Sequence, residues 1–538
     1  MADSTVLDAS APGRADARGG SRTWLATHAV DIAFGLVVLA SAAYFLRVTR
    51  ESWFFADEWA MADQVRRTQD IVDPYNGHLS VTILALYRVL LELFGFTTHV
   101  PYRIAGIVSL VAVPVSMYLV ARRRVGAPAA AVMGLILLWF PGISLEPGGL
   151  NHSLSLLGAI VCGWALAGRG RRRDALVAAS LAFALASSGG GVAVAVAAVV
   201  HSLCSRATRW RWLAVLLPSA AWFTWWAVFV PPDAEEVQRL RPGVLELAED
   251  AVRHAAESFR FLALGNRVAG GVLLVLFTVH AVWRVRQGLG AAANVLAWTG
   301  ALLFWWFGLF WSRWLLIGDP PAFRYEWVSA GFILLAVLPP GPVTLPSWAS
   351  ASTRKGAMLG LTLVVLVGAV LVQSVRTDAQ EFARIHAAIG RSTRGQAAVV
   401  LDTNAAIPDG VKLGFNFVHL KAGQLRQLLN RYGVETGETD QRLVANEAVR
   451  LLSGPRAAAP ARCRGLAQPM RTGVEAQLKL YAPVREADIM IRRFGTEWIT
   501  VGNLPNGREG TLVLPGFHAT EQWELRATGG ACAARRQL

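Results

Sequence analysis

Long apolar runs recur through the first two thirds of this chain, and no other property constrains its fold as strongly. A helix needs roughly 20 predominantly apolar residues to cross a bilayer. About eleven such segments can be placed, near residues 29–47, 101–121, 126–142, 152–168, 174–188, 190–204, 212–230, 268–284, 290–311, 323–340 and 356–375. Hydrophobic residues make up 54% of the 538 and charged residues 17%, a balance that leaves too much apolar surface for a water-soluble protein of this length. The expectation is a polytopic α-helical membrane protein.

A net charge of +15 would suit nucleic acid if the basic residues lined one polar face. They fall instead in short clusters between apolar runs: Arg122–Arg124, Arg169 with Arg171–Arg173, Arg206 to Arg211, Arg284 with Arg286, and Arg354 with Lys355. These clusters occupy alternate loops, which are therefore cytoplasmic, and no nucleic-acid partner is expected. Residues 1–24, rich in Ala, Gly, Asp and Arg, read as a disordered cytoplasmic tail without a cleavable signal pattern. Residues 25–375 form the transmembrane domain.

The segment 78–95 is apolar enough to pass for another span, but counting it would place Arg122–Arg124 on the outer side. It is read as an interfacial helix with Arg88 and Glu92 paired on its wet face. The first outer loop, residues 50–100, then holds two short helices flanking a turn at Asp73-Pro74-Tyr75-Asn76-Gly77. An odd number of spans sends residues 376–538 outside as a small α/β domain. Its first part reads as helix 377–389, strand 397–401 and helix 422–432, and its remainder as short alternating strands punctuated by Pro-Asn-Gly and Pro-Gly. Cys463 and Cys532 are the two cysteines of this domain, and an oxidising compartment suits a disulfide between them.

Polar groups capable of chemistry gather on the outer side. Asp57 and Glu58 stand adjacent in the first outer loop, followed by Asn76 and His78. Glu146, Asn151 and His152 flank the outer loop after the third span, and Arg313, Arg324 and Tyr325 border the loop before the tenth span. Within the spans, His201 and His280 stand out as nearly the only ionisable side chains. Ion-coupled transport needs such groups near mid-membrane, so transport is disfavoured.

An acidic pair in the first outer loop, Asn76-Gly77-His78 leading into an interfacial helix, many spans, Arg324-Tyr325 after a Pro-rich outer loop, and an exported C-terminal domain together resemble the GT-C superfamily of integral-membrane glycosyltransferases. The resemblance covers residues 24–376. It implies transfer of a sugar from a polyprenyl-phosphate donor to a glycan or lipid acceptor outside the cytoplasm, with inversion at the anomeric carbon. Asp57 is then the base, with Glu58 beside it, because a positioned carboxylate can take the proton of a weakly nucleophilic sugar hydroxyl. Arg324, assisted by Tyr325 and Arg313, is expected at the donor phosphate, since a guanidinium fork matches phosphate oxygens. Asn76, His78, Glu146, Asn151 and His152 are expected at substrate hydroxyls.

Arginine alone can neutralise a lipid monophosphate, so no metal is expected, although Asp57, Glu58 and Glu146 are the oxygen donors that Mg or Mn takes. Each residue also has a plainer reading: Asp57 can cap the helix that follows, and Arg324-Tyr325 can anchor an interface. The alternatives to a transferase are a cell-envelope polysaccharide polymerase or ligase, and a transporter or scaffold. A strong excess of Arg over Lys, with abundant Ala, Gly and Val, points to a GC-rich bacterium and hence to its plasma membrane.

Overall fold

The computed structural model describes residues 17–55, 57–67, 71–75, 77–140, 149–230, 242–313, 323–339, 341, 354–401, 409, 420–434, 450–456, 463–471, 477–482, 485–492, 498–513 and 524–534. Their helices are α1 (Ala17–Val48), α2 (Asp57–Arg67), α3 (Val81–Phe94), α4 (Val100–Val125), α5 (Ala127–Leu138), α6 (Leu150–Leu166), α7 (Arg171–Ser187), α8 (Gly190–Cys204), α9 (Arg209–Phe229), α10 (Val244–Leu262), α11 (Arg267–Arg286), α12 (Leu289–Arg313), α13 (Phe323–Val337), α14 (Arg354–Leu401) and α15 (Ala422–Tyr432). A helix begins within about three residues of the start of each apolar segment except the first, where α1 starts at Ala17, inside the stretch read as a disordered tail. Six contain stretches long and apolar enough to cross a membrane: His28–Val48, Val100–Val125, Arg209–Phe229, Arg267–Arg286, Leu289–Ser312 and Gly360–Ala387. Four shorter apolar helices lie among them.

The apolar side chains divide between an inner core and an outer skin. Trp298, Leu135, Ile160, Val194 and Phe332 are fully or almost fully buried between helices, whereas Leu39, Val108, Val228, Val275 and Val279 are largely exposed. An exposed apolar band of this extent is unstable against water and stable against acyl chains.

The list of ionisable groups within the spans needs correction. Asp31 of α1 accepts hydrogen bonds from Tyr118 and, at 2.6 Å, from Arg122 of α4. Asp174 of α7 is paired with Arg211 of α9, whose guanidinium also donates to the carbonyls of Leu166 and Gly168 at the end of α6. These charges tie neighbouring helices together where the basic clusters lie. A cation near a helix C-terminus is favoured by the helix dipole, so Arg211 does structural work in addition to setting topology.

A second core caps one end of the bundle, where Trp53, Phe54, Trp59, Tyr87, Phe96 and Tyr102 pack with Ala397, Leu425 and Leu429. Two expectations give way here. Residues 397–401 are the last turn of the 48-residue α14 and not a strand, since Thr393, Ala397 and Val400 form a buried stripe at helical spacing. Glu92 pairs with Arg431 of α15 at 3.0 Å and not with Arg88. α14 passes through residue 376 without interruption, and α15 docks on the first loop, so the chain after the last apolar run starts as part of the outer cap.

Close approach fixes that docking. The Gly95 amide ends α3, and a Cβ there would overlap the Tyr432 carbonyl. Phe96 N–H donates to Gly433 O at 3.2 Å, and Arg66 donates to Gln427 at 2.8 Å.

Beyond residue 449 lie β1 (Arg450–Arg456), β2 (Cys463–Gly465), β3 (Met470–Arg471), β4 (Gln477–Tyr481), β5 (Ala487–Arg492), β6 (Ile499–Leu504), β7 (Arg508–Val513), β8 (Glu524–Ala527) and β9 (Cys532–Ala534). They form antiparallel sheets of order β1-β7-β4-β9-β2 and β3-β8-β5-β6. Leu478, Leu480 and Leu512 of the first sheet share one core with Ile489, Ile491 and Leu525 of the second, the arrangement of a two-layer sandwich. Cys463 and Cys532 are disulfide-bonded and join β2 to β9 across 69 residues. Replacing both by serine is expected to destabilise the sandwich by about 4 kcal/mol through loop-closure entropy, checked by thermal unfolding of the two forms. A change near zero would mean that the sheets hold the ends together unaided.

Candidate active site

Adjacency in sequence separates the two acids in space, because successive residues at a helix start project about 100° apart. Glu58 turns inward and is 2% exposed. One carboxylate oxygen accepts hydrogen bonds from Tyr87 Oη at 2.9 Å and His99 Nε2 at 3.0 Å. The other accepts the Phe55 backbone N–H at 3.2 Å, half of a capping box for α2. His99 in turn contacts the Ser52 carbonyl through Nδ1 at 3.0 Å. Burial, with the Glu58 charge as a second cause, pushes the Tyr87 hydroxyl well above its ordinary value, so Tyr87 stays protonated and donates. These bonds of Glu58 hold the first loop together.

Asp57 is half-buried in the first turn of α2, and its carboxylate has no hydrogen bond or ion pair among the described residues. It does not cap the helix. Its backbone carbonyl accepts the Tyr75 hydroxyl at 3.1 Å. Tyr75 is bridged to His78 by two backbone hydrogen bonds of 3.0 and 2.9 Å. Gln64 of α2 donates to Asp73 O at 3.0 Å, and Trp225 of α9 donates to Val72 O at 2.7 Å. Trp225 thereby fastens the loop to the bundle ahead of its turn, and Thr82 does so beyond it by donating to Ser187 Oγ at 2.9 Å.

His78 reaches a cavity of about 410 Å³ at the outer end of the helices. Its ring rests on the α8 N-terminus, where a Cβ on Gly189 would come within 2.9 Å of Nδ1. Asn151, His152, Ser188 and Tyr325 complete the polar lining. The His152 ring stands edge-on to Tyr325 at 5.7 Å, and Asn151 Oδ1 accepts the His152 backbone N–H at 2.8 Å. Aromatic residues line the same cavity, among them Trp222, Phe223, Trp226, Phe304 and Trp311. Phe223 is 60% exposed and Trp226 42%, so this part of the lining runs out to the apolar skin of the bundle. Such a site takes a ligand with a polar head and a long apolar tail.

The structure thus brings His78, Asn151, His152 and Tyr325 together. Arg324 immediately precedes Tyr325, and Arg313 follows the cavity-lining Ser312, which places their backbones beside it. Their side chains, and the whole of Asn76 and Glu146, lie outside the described residues. Among the described residues no three His, Cys, Asp or Glu side chains gather as metal ligands.

Two lining features escape a reading based on ionisable motifs: the Ser188-Gly189-Gly190 start of α8 and the tryptophans of α9 and α12. The run Ser187 to Gly191 carries the composition of a close backbone approach, and that was the available signal. Glu326, beside Tyr325, is fully buried next to Ser258 of α10, with neither oxygen hydrogen-bonded among the described residues.

No family model and no curated protein matches the chain. Among solved structures it is similar to Cupriavidus metallidurans ArnT bound to undecaprenyl phosphate, with a TM-score of 0.44 and 16% identity over 79% of this chain and 93% of that one. It is also similar to the Archaeoglobus fulgidus oligosaccharyltransferase complex with Zn and sulfate, with a TM-score of 0.38 and 11% identity over 76% of this chain and 58% of that one.

Removing the Glu58 carboxylate strands two buried donors. Glu58→Ala is expected to destabilise the outer cap by about 3 kcal/mol, and Glu58→Gln by less, because its amide oxygen still accepts. Thermal unfolding of the purified variants checks the order, and equal stability of Glu58→Ala and wild type would remove Glu58 as the organiser of the loop.

Proposed function

We propose that this chain is an integral-membrane glycosyltransferase of the GT-C type. In this reading it moves a sugar from a polyprenyl-phosphate donor to a glycan or lipid acceptor on the extracytoplasmic side of a bacterial plasma membrane, through eleven spans with the N-terminus inside. The observation that carries the proposal is the mixed lining of one cavity: polar His78, Asn151, His152 and Tyr325 share it with aromatic residues, of which Phe223 and Trp226 are exposed on the apolar skin of the bundle. An isoprenoid tail fits the aromatic residues and a sugar phosphate the polar ones.

Asp57 is the base in this mechanism. As the acceptor oxygen forms its bond to the anomeric carbon, the Asp57 carboxylate takes the hydroxyl proton, and the bond between that carbon and the donor phosphate oxygen breaks. The electron pair leaves with the phosphate, and a single displacement inverts the centre. A half-buried carboxylate without a competing partner suits that step, since an ion-paired one would be a weaker base. Arg324 and Arg313 carry the growing phosphate charge, Tyr325 orients the phosphate, and Asn151, His152 and His78 contact sugar hydroxyls. Asn76 and Glu146 are assigned to the substrate on their sequence positions. Glu58 positions Asp57 by fixing the start of α2.

Radiolabelled transfer from host-membrane polyprenyl-phosphate sugars to endogenous acceptors tests the assignment. Asp57→Ala is expected to lower the rate by about 10²- to 10⁴-fold, the usual weight of a general base, with thermal stability unchanged. Equal rates would remove Asp57 from the mechanism. Because arginine neutralises the leaving group here, a chelator such as EDTA is expected to leave the wild-type rate unchanged. Loss on chelation with recovery by Mg or Mn would reassign Asp57 as a metal ligand.

A further inference from the structure

A second cavity, of about 480 Å³, lies where α1 ends and the first outer loop begins. Arg47, Arg50 and Glu51 line it from one side, and Gln380 and Arg384 of α14 from the other. Three guanidinium groups converge against one carboxylate. Glu51 accepts from Arg50 at 3.3 Å, while Arg47 and Arg384 have no hydrogen bond or ion pair among the described residues. Positive charge exceeds the one carboxylate there, and an anion or open water offsets the excess.

Depth decides which anion has access. The apolar run of α1 stops at Val48, and that of α14 gives way to Arg376, Asp378 and Gln380. The cavity therefore stands at the boundary between hydrocarbon and water, at headgroup level. Arginine is suited to this task because its planar donors match the oxygens of a phosphate ester and its charge persists at any relevant pH.

We propose that Arg47, Arg50 and Arg384 form a phosphate-binding site at the outer membrane surface, distinct from the 410 Å³ cavity, whose ligand is an anionic phospholipid headgroup or a free phosphate. Occupancy would join the last turn of α1 to α14 and stiffen the stretch Arg50–Phe55 that leads to Asp57. α14 already touches this stretch: a Cβ on Gly390 would come within 2.9 Å of the Trp53 nitrogen, and the Phe55 and His386 rings meet edge to face at 5.3 Å.

The test is a binding measurement and is independent of sugar transfer. Full-length protein in neutral detergent is equilibrated with phosphatidylglycerol or phosphatidylcholine, and bound lipid is counted by native mass spectrometry, with and without inorganic phosphate. Wild type is expected to retain phosphatidylglycerol over phosphatidylcholine. Arg47→Gln with Arg384→Gln should weaken that binding by roughly 30-fold, following the usual weight of two basic groups at a membrane surface. Arg47→Lys with Arg384→Lys should restore most of it, which separates charge from folding. Displacement of the lipid by millimolar phosphate would identify free phosphate as the ligand, and its persistence would identify the headgroup. Equal affinity of wild type and the double-glutamine variant for both anions overturns the site.

Discussion

The buried Glu58 carboxylate holds the outer half of this molecule in place. Taking a carboxylate out of water costs several kcal/mol unless donors replace the lost hydration, and here three do. They come from three separate stretches of the chain: the Phe55 amide before α2, Tyr87 in the middle of α3 and His99 at the start of α4. A loop of some fifty residues between two spans would otherwise carry a large conformational entropy. With Glu58 at its centre, the loop becomes a packed layer in which Trp59 stacks on Phe96 at 4.7 Å and Phe54 meets Tyr102 edge-on.

That layer is completed by the chain beyond the last apolar run. α14 leaves the bilayer without breaking and supplies Ala397 and Val400 to the same core, and α15 lies across α2 and α3. The contacts are specific at the level of single atoms, since Gly95 leaves room for the Tyr432 carbonyl and Arg431 finds Glu92. The position of the first loop is thereby coupled to α14 and α15.

Much of the bundle is legible in the sequence because apolar runs of bilayer length report a solvent and not a detailed packing. The helix starts follow the basic clusters and prolines that flank those runs. What local pattern hides is partnership. Asp31 and Asp174 sit inside apolar segments and are easily passed over, since nothing near them in sequence reveals that Tyr118, Arg122 and Arg211 will meet them. Residues 397–401 look like a strand because Val-Val-Leu suits one, yet a helix already 40 residues long continues through them at low cost once nucleated. For the site, the polar clusters on the outer loops pointed to His78, Asn151, His152 and Tyr325, which share one cavity. The aromatic lining was open to two readings, because tryptophan near a membrane interface serves as an anchor as readily as it lines a groove.

The acidic pair shows why a motif of two residues can mislead about either one. On a loop, Asp57 and Glu58 would be near equivalents able to share a proton or a cation. On the first turn of a helix they are divided by its pitch, and only one of them can face the core. Glu58 has the longer side chain and occupies the position that reaches back to the Phe55 amide, so it becomes the buried one. Asp57 is left at the same helix end, held by its backbone through Tyr75, with its carboxylate unspent. The more firmly Glu58 is bound, the less freedom α2 has to turn Asp57 out of this position.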